Sequence, residues 1–107
     1  MIKVHNMISD RGNPVINQFV IFDTPSKVYF QSYSSLIAEY DYADLRLVLG
    51  KHFDYSVTTL KYLHKWVNRY VDREVREKIE NAPGKSYTDK LNWCINNDVI
   101  SYENLMV

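Results

Sequence analysis

The feature that most constrains the fold is a long stretch, from Ser56 to Ala82, that contains no glycine or proline. Within it, apolar residues recur at the spacing of one helix face. They are Val57, Leu60, Leu63, Val67, Tyr70 and Val71. Ser56 is a suitable N-cap, and Asp72 could cap a second helix, with oppositely charged pairs supporting helix across 72–80. The pattern therefore predicts helical structure over residues 56–82, as one long amphipathic helix or as two helices.

The preceding residues, 15–50, have the composition of β-strands. β-Branched and aromatic residues are concentrated in 15–22, turn formers follow at 23–26, and a second apolar run occupies 28–33. Two such runs separated by a short turn predict a β-hairpin. Residues 1–14 precede this hairpin as a lead-in that ends in a dense turn signal.

Residues 34–42 could begin a helix or form a strand, and the alternation of their side chains favours the strand. One side of that strand would carry Leu36, Ala38, Tyr40 and Tyr42, and the other side Ile37, Glu39 and Asp41. A further apolar run at 45–49 ends at Gly50. We therefore predict three or four antiparallel strands within residues 15–50.

A break at 82–84 separates a helical C-terminal segment, residues 86–107. Its polar start predicts a short helix from Ser86 to about Asn96, and residues 101–105 are expected to add one more turn. The predicted fold class is α+β, with all 107 residues in a single domain. In this fold, a small antiparallel sheet of three to four strands packs against the long amphipathic helix and the helical C-terminal segment.

Composition argues against several classes of protein. Thirteen Lys and Arg residues balance thirteen Asp and Glu residues, so no overall charge attracts the chain to nucleic acid or anionic lipid. The single cysteine, Cys94, excludes an intrachain disulfide and a thiolate metal cluster. The three glycines cannot form a nucleotide-binding loop, and the three histidines lack the spacing of metal ligands. We therefore expect no cofactor and no metal.

No recognisable nucleophile, base and orienting group lie together in the sequence, and we expect a protein that is not an enzyme. No apolar run approaches the roughly 20 residues of a membrane span, and the N-terminus lacks the apolar core of a secretory signal. These features predict a cytoplasmic protein with no membrane partner.

The long helical stretch carries a basic stripe, formed by Lys61, Lys65, Arg69 and Arg73, with Tyr62 and Trp66 beside it. Such a stripe is either a solvated helix face or a binding surface for an acidic protein or a phosphate backbone. As a binding surface it makes six residues candidates for partner contact: Lys61, Tyr62, Lys65, Trp66, Arg69 and Arg73. An uncovered, tyrosine-rich sheet face is the alternative surface.

Trp66 can serve as a surface anchor or as part of the core. Burial under the C-terminal segment is favoured, because Tyr87 and Trp93 in that segment need an apolar neighbour. Cys94, among apolar neighbours, is expected to be an inert buried thiol.

Three segments resemble a family of small proteins that bacteriophages and other mobile elements encode and that have no assigned function. The segments are Asn17–Phe22, Tyr29–Ala38 and Asp54–Thr59, the last followed by Lys61 and Tyr62, and the resemblance covers about residues 12–66. Members often carry Trp where Phe53 stands, and the tail from Gly84 onward lies outside the shared part. The polar residues in these segments also have a purely structural interpretation. Gln31 and Ser32 would end a strand, and Asp54 and Ser56 would accept hydrogen bonds from the first backbone N–H groups of the helix.

The resemblance implies a viral protein that binds a host factor, such as a CRISPR effector, another immune protein or the transcription machinery. We therefore expect a phage-derived, protein-binding inhibitor, an anti-CRISPR or other anti-defence protein that acts by stoichiometric binding in the bacterial cytosol. The alternative is a small nucleic-acid-binding protein that uses the basic face of the helix at 57–80.

Overall fold

Six strands form one sheet in the part of the chain that the computed structural model describes, residues 2–23 and 25–105. The strands are β1 (Ile2–Ile8), β2 (Pro14–Asp23), β3 (Lys27–Ser32), β4 (Ser35–Asp41), β5 (Arg46–Leu49) and β6 (Ser101–Tyr102). They lie in sequence order across the sheet; β1 to β5 are antiparallel, and β6 is parallel to β5. The helices are α1 (Val57–Tyr70), α2 (Arg73–Glu80) and α3 (Tyr87–Asn96). The α+β class is confirmed, with two strands more than the largest number predicted.

The four strands predicted within residues 15–50 are β2 to β5, and the hairpin is formed by β2 and β3. The expectation of a lead-in before them is wrong, because Ile2–Ile8 pairs with β2 as the edge strand β1. Six of its seven residues are exposed. Since only Met7 of β1 is buried, its sequence carries no strong apolar pattern, although Ile2, Lys3, Val4 and His5 do alternate.

The helical turn expected at residues 101–105 is also wrong. Asp98 adopts a left-handed conformation with φ 58°, and the chain then runs beside β5. Ser101 pairs with Val48, and the Glu103 N–H donates to the Leu49 carbonyl at 3.0 Å. This two-residue parallel strand forms only because β5 lies beside it, so the local sequence does not predict it.

The predicted alternation in β4 fails at one residue. Phe30 pairs with Ala38 and Gln31 pairs with Leu36, so Ile37 is an extra residue in the ladder. This bulge puts both Ile37 and Ala38 into the core, and Leu36 lies on the opposite face from Ala38. The sheet thereby gains one more large apolar side chain under the helices.

The helical stretch forms two helices. Val71 is extended, with φ −84° and ψ 140°, and Asp72 caps α2 by accepting from the Glu74 N–H. Ser56 caps α1 through the Thr59 N–H at 3.0 Å. Of the two alternatives for this stretch, two helices is therefore correct and one long helix is not, and both of the predicted caps are confirmed.

The helices cover one face of the sheet, where Trp66 is fully buried. Its expected burial is confirmed, but its neighbours are different. Its ring centroid lies 6.3 Å from that of Phe30 and 6.4 Å from that of Tyr70. Tyr87 instead stacks on His64 at 3.9 Å. None of the helices in the described residues has the length and hydropathy needed to cross a membrane.

A candidate partner-binding groove

A buried polar cluster, formed by Gln18, Ser32, Ser56 and Thr59, fixes α1 on the sheet. The Ser32 and Thr59 hydroxyls lie 2.9 Å apart, and the Ser56 hydroxyl donates to Thr59 Oγ1 at 3.0 Å. Gln18 is the register partner of Ser32 and is 1% exposed. All three segments that carry the resemblance therefore meet at this cluster.

The cluster determines which face of α1 points into the core. The buried face is formed by Thr59, Tyr62, Leu63, Trp66 and Val67. Val57, which the apolar pattern placed on the core face, is 86% exposed. With Thr59 turned toward the sheet, Lys61, Lys65 and Arg69 fall on the flank of the helix next to Tyr62.

A groove of about 1010 Å³ lies between this flank and strand β1. Its deepest apolar residues are Met7 and Val20, which are 6% and 2% exposed. Its polar lining includes His5 of β1 and Lys65 and Arg69 of α1. The groove thus combines an apolar base with a basic wall.

Positive side chains outnumber negative ones in the lining of the groove. Lys65 forms an ion pair with Asp10, and the Lys65 ammonium, with a weaker contribution from Lys61, holds the pKa of that carboxyl below its usual range. Arg69 lies over the Tyr70 ring at 5.7 Å, and no carboxylate within residues 2–23 and 25–105 forms an ion pair with it. Lys3 is opposite Phe22 of the groove lining. Among the described residues that line the groove there are thus two cations, Lys65 and Arg69, and one carboxylate, that of Asp10, which leaves Arg69 without an acidic partner.

The six predicted contact residues separate into different environments. Lys61, Lys65 and Arg69 lie together on the groove flank of α1. Tyr62 and Trp66 are 7% and 0% exposed, so their side chains are not accessible to a partner in this structure, unlike what the stripe predicted.

Arg73 belongs to α2 and forms an ion pair with Glu77 at 2.8 Å. The four-residue basic stripe is broken because Val71 interrupts the helix before Arg73. The sequence reasoning missed His5 and Met7, which lie in the supposed lead-in. The alternation of apolar and polar residues from Ile2 to His5 is the sequence feature that indicates this strand.

The alternative binding surface was a sheet face rich in tyrosine, and the strands do not form such a face. Tyr33, Tyr42 and Tyr55 are exposed but lie in the connections between elements, and Tyr40 is buried in the core. Tyr29 lies in β3 on the face that the helices leave open, beside a shallow depression of about 290 Å³. The tyrosines therefore do not form one continuous platform.

No group of three His, Cys, Asp or Glu side chains suited to a metal ion occurs in the described part of the chain. Cys94 is buried in the core, and burial raises the pKa of its thiol, so the thiol stays neutral. His64 stacks on Tyr87 and lies 3.7 Å from Glu80, which ties α1 to α2 and α3.

A family described as "Family of unknown function (DUF8033)" has a model that matches residues 2–82. The match runs from β1 through α2 and includes every residue of the groove, while α3 and β6 lie outside it. No curated protein and no solved structure matches the chain. Because the match covers well over half of the sequence, the chain belongs to this family of unknown function.

Proposed function

We propose that this protein is a protein-binding module that acts by stoichiometric binding, and that the groove between β1 and α1 is its contact surface. The observation that carries the proposal is Arg69 at the wall of the groove. Its guanidinium has an aromatic neighbour but no acidic partner within the described residues. Arginine beside an aromatic ring is a typical centre of a protein interface.

The composition of the groove favours a protein over a nucleic acid. A single-stranded nucleic acid needs exposed aromatic rings on which bases stack, and Tyr62 and Trp66 are buried. The base of the groove is apolar, at Met7 and Val20. An apolar base with a charged wall is the usual composition of a protein contact.

The resemblance to bacteriophage-encoded proteins supports a more specific proposal. The partner is then a host protein in the bacterial cytosol, and the module inhibits it by occupying its surface. A CRISPR effector or another defence protein is the first kind of partner to test. Inhibition by occupancy requires no catalytic group in the module.

Affinity capture from a bacterial host lysate, with and without nuclease, tests the general proposal. The wild-type chain should retain a protein at a constant molar ratio after nuclease treatment. Arg69→Glu should lose that protein, and Arg73→Glu, which makes the same charge change away from the groove, should keep it. Absence of a protein partner, together with salt-sensitive binding to naked DNA, would overturn the proposal in favour of a nucleic-acid-binding protein.

A plaque assay tests the proposed inhibition. In cells whose CRISPR system restricts a phage, expression of the wild-type chain should restore plaques, whereas Arg69→Glu should not. Unchanged restriction by every host defence system tested would contradict the anti-defence proposal and leave protein binding itself standing.

A further inference from the structure

Strand β1 is an open edge of the sheet. It pairs with β2 on one side only, and the five residues Ile2–Asn6 are in regular register with that neighbour. On its other side, every second residue of β1 presents an unpaired N–H and C=O to solvent. Such an edge can accept an extended segment as an additional strand.

The regular part of β1 carries one protective feature of natural edge strands, the charged Lys3, which opposes pairing with another basic strand but not with an acidic one. Proline is absent from β1, and the register shift lies between Asn6 and Ile8, at the end away from Ile2. The other edge, β6, has only two residues. Strand addition to this sheet is therefore expected at β1.

The side chains of an added strand would alternate between the two faces of the sheet. On the face that carries Lys3 and His5, they would lie over the groove, next to Lys65 and Arg69. Arg69 has no acidic partner within the described residues, and Lys3 lies on the same face of β1, so acidic side chains are favoured at these positions. A second copy of β1 lacks the required charge, because Ile2–Ile8 contains no acidic residue.

We propose that β1 binds an extended acidic segment of a partner protein as a seventh strand, with alternate carboxylates facing Arg69 and Lys65. This inference rests on the proposed protein-binding function and specifies its ligand. Asp10, exposed in the turn after β1, pairs with Lys65 in the free protein. The carboxylate of Asp10 thus competes with the carboxylates of the incoming segment.

Selection of peptides from a random library on the full chain tests the proposal. The selected peptides should be rich in Asp and Glu at alternate positions and poor in proline. Arg69→Glu should weaken their binding by about tenfold or more, and the control Arg73→Glu by less than about twofold. Asp10→Asn should tighten binding, since it releases Lys65 from its internal partner.

Hydrogen exchange separates strand addition from simple charge attraction. Bound peptide should slow exchange at alternate backbone amides of Ile2–Asn6, and the same peptide with its alternate amides N-methylated should bind weakly. Neutral or basic selected peptides, unprotected β1 amides, or equal losses in Arg69→Glu and Arg73→Glu would each overturn the proposal. If a captured host protein binds equally well to Arg69→Glu, this docking site is refuted, while stoichiometric protein binding is not.

Discussion

Replacing Thr59 by valine removes one hydroxyl from the polar cluster and preserves the branched shape of the side chain. Thr59 is fully buried, and its hydroxyl contacts the hydroxyls of Ser32 and Ser56 at 2.9 Å and 3.0 Å. Ser32 is 2% exposed, so its hydroxyl would have no ready access to water after the change. Thr59→Val therefore removes both hydrogen bonds and leaves the buried Ser32 hydroxyl without this partner, while Ser56 still accepts from the backbone N–H of residue 59.

The cost follows from these two consequences. A net hydrogen bond contributes about 1 kcal/mol, and an unsatisfied buried hydroxyl costs about 1–3 kcal/mol. We expect Thr59→Val to lower the free energy of unfolding by about 2 kcal/mol, and Ser32→Ala by about 1 kcal/mol because Thr59 keeps the hydrogen bond from Ser56. The double variant has no Ser32 hydroxyl left to be stranded, so it should be more stable by about 1–2 kcal/mol than the sum of the single changes predicts.

Urea unfolding followed by circular dichroism measures all three variants. Thr58→Val is the matched control, because Thr58 is the exposed neighbour of Thr59 on the same helix. It should change the free energy of unfolding by less than about 0.5 kcal/mol. Strictly additive losses for Ser32→Ala and Thr59→Val would refute the direct hydroxyl contact.

Three further predictions concern other parts of the fold. Trp66→Ala should destabilise by about 3–5 kcal/mol in thermal unfolding, and Trp93→Ala by less than about 1 kcal/mol, because Trp93 is 38% exposed. Burial raises the pKa of Tyr87 above 10, so its contribution to stability should be full below pH 10 and fall as the pH rises further; Tyr87→Phe should make this fall smaller in urea titrations without loss at pH 7. Gly50→Ala would place a Cβ 2.7 Å from the Leu36 carbonyl oxygen, and the free energy of unfolding is expected to fall by about 1–3 kcal/mol, whereas unchanged stability would contradict this close approach.

The elements that the sequence predicts well have local signals. The hairpin of β2 and β3 follows from two β-rich runs around a turn, and the starts of α1, α2 and α3 follow from Ser56, Asp72 and Ser86. Each of these residues accepts a hydrogen bond from a backbone N–H within its own helix. Because both partners are close in sequence, the pattern alone identifies them.

The elements that sequence reasoning missed depend on distant partners. Strand β6 forms only beside β5, and the bulge at Ile37 exists only in the pairing of β3 with β4. Strand β1 has a solvent-exposed pattern, so its apolar residues do not identify a core face. Local periodicity contains no information on these long-range contacts.

The site was predicted only in part for the same reason. Apolar spacing identified Lys61, Lys65 and Arg69 as one basic flank but did not fix how the helix is rotated. That rotation depends on Thr59, a polar residue whose burial requires the Ser32 hydroxyl on β3. A rule that buries only apolar side chains therefore placed Val57 in the core, where it does not lie.

The polar cluster connects the fold to the groove. Adjacent residues of a helix differ by about 100° in direction, so another rotation of α1 would carry Lys65 and Arg69 into the core or into open solvent. The segments that carry the resemblance contain Ser32, Thr59 and Lys61, and the family match over residues 2–82 also spans Lys65 and Arg69. The residues that set the rotation of α1 and the cations that this rotation exposes therefore lie in one region shared with the family.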